Sequence, residues 1–96
     1  LSDKVIHERS RLLILSYLAR SDDRCGSFPE IRDALEMTAG NLSIQLKTLQ
    51  KAGYIKIKKE FRDNKPYTQA ILTSQGAKAL ENYLREMEQI IRGLKQ

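Results

Sequence analysis

The sequence predicts a mainly helical α+β domain with one small β-hairpin, and three observations carry that expectation. Apolar residues recur at helical spacing over most of the chain. The stretch from Tyr54 to Phe61 alternates with a period of two instead, as a half-buried strand does, and a turn-forming run follows it. The net charge is also segregated. Between Thr38 and Gln69, Lys47, Lys51, Lys56, Lys58, Lys59, Arg62 and Lys65 face only Glu60 and Asp63, a net +5 that equals the value for all 96 residues. The rest of the chain is neutral. A positive potential confined to one helix and the hairpin after it is a surface for a polyanion, which makes nucleic-acid binding the first expectation.

Each element has its own justification. Residues 4 to 20 read as a first helix, with Asp3 as N-cap and Val5, Ile6, Leu12, Leu13, Ile14, Leu15, Tyr17 and Leu18 as its apolar positions. Leu12 to Leu15 cover most of the circumference, so this helix is expected between a core and a second layer. Residues 20 to 27 have the Ser, Asp and Gly composition of a loop. Pro29 at a first helical position and Glu30 in the first turn start a short second helix, with Ile31, Ala34 and Leu35 inward. Thr38 caps a third helix that runs to about Ala52, with Leu42, Leu46 and Leu49 as its stripe and Gly53 as its terminator.

In the strand that follows, Ile55, Ile57 and Phe61 are expected on the buried face, and Tyr54, Lys56, Lys58 and Glu60 on the other. Arg62 to Pro66 reads as a turn, and Tyr67 to Leu72 as the returning strand of a basic hairpin. Thr73 caps a last helix from about Ser74 to Leu94, roughly 30 Å long at 1.5 Å per residue. Its apolar positions Ala77, Leu80, Leu84, Met87, Ile91 and Leu94 are spaced alternately three and four apart, the seam of a helix that packs on another helix. One short domain can hardly cover so long a stripe, so Val5, Leu12, Leu80, Leu84, Met87, Ile91 and Leu94 are expected to form a homodimer interface. Gly76 near the start of this helix allows close approach of a neighbouring backbone.

Together these elements form a helix-turn-helix (about 29–52), a wing (about 54–72) and a long C-terminal dimerisation helix (about 74–94), in a single domain of residues 1–96. With the third helix's leucines inward, Ala39, Gly40, Asn41, Ser43, Ile44, Lys47 and Lys51 are left toward solvent. Small residues at the helix start let a backbone approach, and free amides there can bind a phosphate. Asn41, Ser43 and Gln45 suit base edges or sugar-phosphate oxygens, whereas Lys47 and Lys51 suit phosphates. This helix has no Arg for a bidentate guanine contact, so DNA shape and backbone contacts should matter more than usual. The candidate contacts to double-stranded DNA are Thr38, Ala39, Gly40, Asn41, Ser43, Ile44, Lys47, Lys58, Lys59, Arg62, Asn64 and Lys65.

The run Asn-Leu-Ser-Ile-Gln-Leu-Lys-Thr-Leu-Gln-Lys-Ala-Gly-Tyr-Ile (41–55), the basic hairpin ending in Ile-Leu-Thr-Ser-Gln-Gly (71–76) and the opening His-Glu-Arg-Ser-Arg-Leu-Leu-Ile-Leu (7–15) resemble the winged-helix transcriptional regulators of the MarR and ArsR type. The resemblance implies a prokaryotic homodimer that binds operator DNA through the third helix and the wing. By match it places contacts at Asn41, Ser43, Lys47 and the Arg62 to Lys65 wing tip. Ile44 stands where a basic or polar residue is common, which counts against strong base specificity. The Cys-x-Cys pair of metal-sensing members is missing, so a metal inducer is not implied.

Other classes find little support. A single Cys25 and a single His7 exclude a disulfide framework and a structural zinc site, and no cofactor is expected. Asp3, His7 and Ser10 share a helical face, yet consecutive turns of one surface helix offer neither an oxyanion hole nor a pocket, so catalysis is not expected. Tyr17, Tyr54, Tyr67 and Tyr83 read as core-edge aromatics. No apolar run approaches a membrane span of roughly 18 residues, no signal peptide is evident, and a cytoplasmic location follows as an expectation. The chain begins at Leu1, which leaves room for residues before it. No convergent polar cluster marks a small-molecule effector site. The remaining alternative is a winged-helix protein-interaction module whose basic hairpin meets an acidic partner.

Overall fold

The computed structural model describes residues 3–95. Its elements are α1 (Arg9–Arg20), a 3₁₀ turn (Asp22–Arg24), β1 (Cys25–Ser27), α2 (Phe28–Ala34), α3 (Ala39–Lys51), β2 (Ile55–Arg62), β3 (Lys65–Leu72) and α4 (Ser74–Leu94). The three strands form one antiparallel sheet in the order β1-β3-β2. The mainly helical α+β architecture expected from the sequence is the one observed.

The helix ends explain themselves locally. Glu8, not Asp3, is the N-cap of α1, accepting from the Ser10 and Arg11 amides at 3.0 and 3.1 Å. Asp3 instead caps a separate turn through the Val5 and Ile6 amides, so the helix expected from residue 4 starts five residues later. Ser27 and Glu30 form a reciprocal capping box on α2, and the Ser27 hydroxyl and amide hold the Glu30 carboxyl below its usual range. Ala34, expected inward on α2, is exposed, because this two-turn helix buries only Ile31 fully.

Helices α2 and α3 end in the same way. The Met37 amide reaches the Arg32 carbonyl at 3.0 Å, the Tyr54 amide reaches the Leu49 carbonyl at 3.0 Å, and the residue before each is left-handed. This is the Schellman arrangement, with Gly53 at φ 81° in one copy and Glu36 at φ 53° in the other. Glu36 turns the chain between the two helices, so α3 departs from α2 within four residues.

The sheet differs from expectation as well. The loop expected over 20–27 contains β1, paired through Cys25–Ile71, Gly26–Ala70 and Ser27–Gln69. Three residues cannot display an alternation, so only the edge of β3 makes them a strand. The hairpin turn is also tighter than the expected Arg62 to Pro66. Asp63 and Asn64, at φ 51° and 62°, are a two-residue turn with Arg62 paired to Lys65. Phe61, expected on the buried face, is 76% exposed because the ribbon has left the body of the domain by that point.

The core joins Ile14, Leu15 and Leu18 of α1, Ile31 of α2, Leu42, Leu46 and Leu49 of α3, Ile55, Ala70 and Leu72 of the sheet, and Leu80 and Tyr83 of α4. One knot ties its lower edge. The Thr73 amide donates to the Tyr54 carbonyl at 3.1 Å and the Thr73 hydroxyl to the Gly53 carbonyl at 2.7 Å, while the Gly76 amide donates to that hydroxyl at 3.0 Å. The Tyr54 phenol in turn donates to the Asp3 carboxylate at 2.7 Å. Gly76 is required there, since a Cβ on it would lie 2.1 Å from the Tyr54 carbonyl oxygen.

Gly76→Ala should therefore cost about 2–3 kcal/mol in urea unfolding, whereas Gly93→Ala, with nothing within 4 Å of the added carbon, should be neutral or slightly stabilising. The hydrogen bond to Asp3, with burial adding to it, pushes the Tyr54 phenol up to about 12 from an ordinary 10.0. A phenol raised on folding stabilises the protein below its unfolded value, and that contribution is lost as pH rises from about 10 to about 12. The stability difference between the wild type and Tyr54→Phe should thus be constant up to about pH 10 and shrink above it.

Candidate nucleic-acid interface

Helix α3 divides sharply into two sides. Leu42, Leu46 and Leu49 are buried, and Thr38, Ala39, Gly40, Asn41, Ser43, Ile44 and Lys47 are all exposed, Ile44 at 62%. Thr38 caps the helix through the Asn41 amide at 3.1 Å. Gln45 turns away from the free face. It accepts from the Arg11 guanidinium at 2.8 Å and donates to the Asn41 side chain at 3.0 Å, so α1 occupies a residue that its chemistry alone marked for base contact. Arg11 is itself anchored by the Val5 carbonyl at 2.6 Å and sits 3.8 Å from Glu8.

The ribbon register sorts the wing residues by face. Ile55–Leu72, Ile57–Ala70, Lys59–Thr68 and Phe61–Pro66 are paired on the side that continues into the core. Lys56–Ile71, Lys58–Gln69, Glu60–Tyr67 and Arg62–Lys65 are paired on the other. Lys59 therefore looks toward α3, and Lys58 and Arg62 away from it. A groove of about 200 Å³ lies between helix and ribbon, where Ser43, Lys47 and Gln50 of α3 meet Ile57, Lys59 and Thr68 of the wing above Phe28. Phe28, Gln50 and Thr68 were not read as site residues. Thr68 was recoverable, because a two-residue turn at Asp63-Asn64 places it opposite Lys59.

All the wing candidates Lys58, Lys59, Arg62, Asn64 and Lys65 are exposed. Glu60 serves as local counter-charge on the outer face, 2.9 Å from Arg62 and 3.9 Å from Lys58, and the Arg62 guanidinium lies 3.9 Å over the Tyr67 ring. Among the described residues no carboxylate pairs with Lys47, Lys59 or Lys65. Two of these three, Lys47 and Lys59, line the groove.

At the other end of the molecule, α4 buries Gly76, Leu80 and Tyr83 and leaves Leu84, Ile90, Ile91 and Leu94 exposed at 46, 51, 45 and 81%. Leu80, at 5%, is committed to the chain's own core, and Val5, Leu12 and Met87 are half-buried against it. Tyr83, outside the expected seam, accompanies Leu80 inward, and the His7 ring nitrogen Nδ1 meets its hydroxyl at 3.1 Å. Among the described residues no group of three His, Cys, Asp or Glu side chains is placed to hold a metal, and no helix is long and apolar enough to cross a membrane.

Two helices joined by a tight turn, the second flanked by a β-ribbon that shares its groove, define a winged helix-turn-helix. Residues 10–91 match the family described as winged helix DNA-binding domain, and the chain belongs to it. It is 30% identical over 67 residues to an uncharacterized protein of Methanocaldococcus jannaschii, covering 70% of this chain and 73% of that protein. A transcriptional regulator homologue from Pyrococcus horikoshii OT3 superposes with a TM-score of 0.87 at 26% identity, over 99% of this chain and 92% of that one. A MarR family transcriptional regulator from Streptomyces coelicolor, solved in complex with DNA, has a TM-score of 0.80 at 22% identity, over 95% of this chain and 59% of that one. The winged-helix class expected from the sequence is thus the one to which the chain belongs, and it shares its fold with solved regulators of the MarR and ArsR families. That class binds DNA and is not enzymatic.

Because the Arg11 side chain is only 18% exposed, Arg11→Ala should cost about 2 kcal/mol in urea unfolding. It should also release Gln45, visible as a shift of its side-chain amide resonances.

Proposed function

We propose that this chain is a cytoplasmic transcriptional repressor, with residues 1–96 acting as one DNA-binding unit. It binds a pseudo-palindromic duplex site as a homodimer. Helix α3 enters the major groove with Asn41, Ser43 and Lys47 toward bases and phosphates, and the backbone around Thr38, Ala39 and Gly40 lies close to the strand. Exposed Ile44 suits a thymine methyl better than a hydrogen-bonding base edge. Lys58, Lys59, Arg62, Asn64 and Lys65 hold the flanking backbone. The observation that carries this reading is the convergence of Ser43, Lys47 and Gln50 with Lys59 and Thr68 on one groove whose lysines have no carboxylate partner among the described residues.

Dimerisation rests on α4, whose exposed Leu84, Ile90, Ile91 and Leu94 need a cover. Leu80 supports them from beneath, and Val5, Leu12 and Met87 lie at the margin. Two copies related by a two-fold axis would set their α3 helices about 34 Å apart, in successive major grooves.

With four or five cations used per protomer, log K should fall with log salt at a slope of about −7 to −9. Lys65→Ala should weaken binding to all duplexes and flatten that slope by about two per dimer, while Lys78→Ala on α4 should leave it unchanged. Fluorescence anisotropy of labelled duplex DNA across a salt series, with light scattering for the dimer, is the measurement. A wild-type protein without salt-sensitive affinity for duplex DNA would overturn the reading in favour of an acidic protein partner.

A further inference from the structure

Phe61 is the large apolar side chain of the wing that the fold does not use. Scattered exposed apolar residues are ordinary on a surface, but this one is placed. It lies one residue from the end of β2, its cross-strand partner is Pro66, and the pair stands on the face that carries Lys59 and Thr68. Cations lie to both sides along the ribbon, Lys59 two residues back on the same face and the Arg62–Lys65 pair one position on, on the other face. The opposite face is fastened by the stack of Arg62 on Tyr67 and its bond to Glu60. Nothing comparable holds Phe61, which stays 76% exposed.

We propose that Phe61, backed by Pro66, is an apolar wedge that enters the DNA minor groove beside the α3 site and partly opens a base step there. The proposal rests on the duplex-DNA reading above and extends it to a residue that has no charge to offer a phosphate. Four residues of strand separate Phe61 from Ile57, a reach of about 13 Å at about 3.3 Å per residue. The major groove is about 12 Å wide. A ribbon rooted beside a helix in that groove therefore ends past the phosphate ridge, over the neighbouring minor groove. Its lysines and arginine neutralise the ridge while its apolar tip faces sugars and base edges. Insertion of such a side chain costs least at flexible pyrimidine–purine steps, so the tip adds a preference for TA or CA at the wing position. This supplies readout that α3, without an arginine and with Gln45 engaged by Arg11, largely lacks.

The test compares the full-length wild type with F61A and F61L on a duplex DNA pool of random sequence, and then on selected duplexes carrying 2-aminopurine at the wing step. The expected result is enrichment of TA or CA steps at the wing position by the wild type, with increased 2-aminopurine fluorescence on binding. F61A should lose both, bind about tenfold more weakly and keep the same salt slope, since no charge is removed. F61L should retain part of each effect. Equal affinity and step preference for F61A and wild type, where the wild type binds duplex DNA, would overturn the wedge alone. Failure of the wild type to bind any duplex at low salt would overturn the DNA reading and the wedge with it. A change in oligomeric state for F61A with DNA binding unaltered would make the tip a contact between copies and also overturn it.

Discussion

The geometry of this protein depends on the contact between Gly76 and the Tyr54 carbonyl. At that point the end of α3, the root of β2, the end of β3 and the start of α4 occupy a space too small for a single extra carbon. Thr73 completes the arrangement by bonding to Gly53 and Tyr54 while it caps α4. Because the wing is a two-stranded ribbon with little support of its own, its angle to α3 is set at this root. The direction of α4 is set there as well, so the groove between α3 and the wing and the apolar stripe of α4 are held in fixed relation by this knot.

Electrostatics explains why the groove remains available. Glu60, the carboxylate paired with wing cations among the described residues, acts on the outer face, where it holds Arg62 and approaches Lys58. The inner face brings Lys59 and Lys47 to one groove, and among the described residues no carboxylate pairs with either. Two like charges facing one groove raise the energy of the protein slightly, and an anion there would offset that. The ion pairs elsewhere, Arg85–Glu81 and Arg92–Glu88 along α4, are exposed pairs one turn apart and contribute little beyond local helix support.

The apolar side chains follow a gradient along the long axis of the molecule, which measures 57 Å against 25 and 23 Å across. Near the knot they are fully enclosed. Toward the end of α4, Leu84, Ile90, Ile91 and Leu94 are exposed, with half-buried Met87 among them. The last turns of α4 extend beyond the core that the described residues form.

Much of this was legible in the sequence because it depends on neighbours in the chain. Thr38 and Thr73 as caps, Gly53 as a terminator, the inward stripe of Leu42, Leu46 and Leu49, and the charge imbalance of residues 38 to 69 each follow from spacing or composition over a few turns. What tertiary structure alone decided involves partners distant in the chain. Cys25 to Ser27 become a strand only beside Ile71 to Gln69, and Gln45 is turned from the free face of α3 by Arg11 of α1. Leu80 is drawn inward with Tyr83, and Phe61, apolar and correctly phased, is exposed because the body of the domain ends before the ribbon does. A periodic pattern states which side of an element is apolar. Whether another part of the chain arrives to cover that side is a matter of reach in three dimensions.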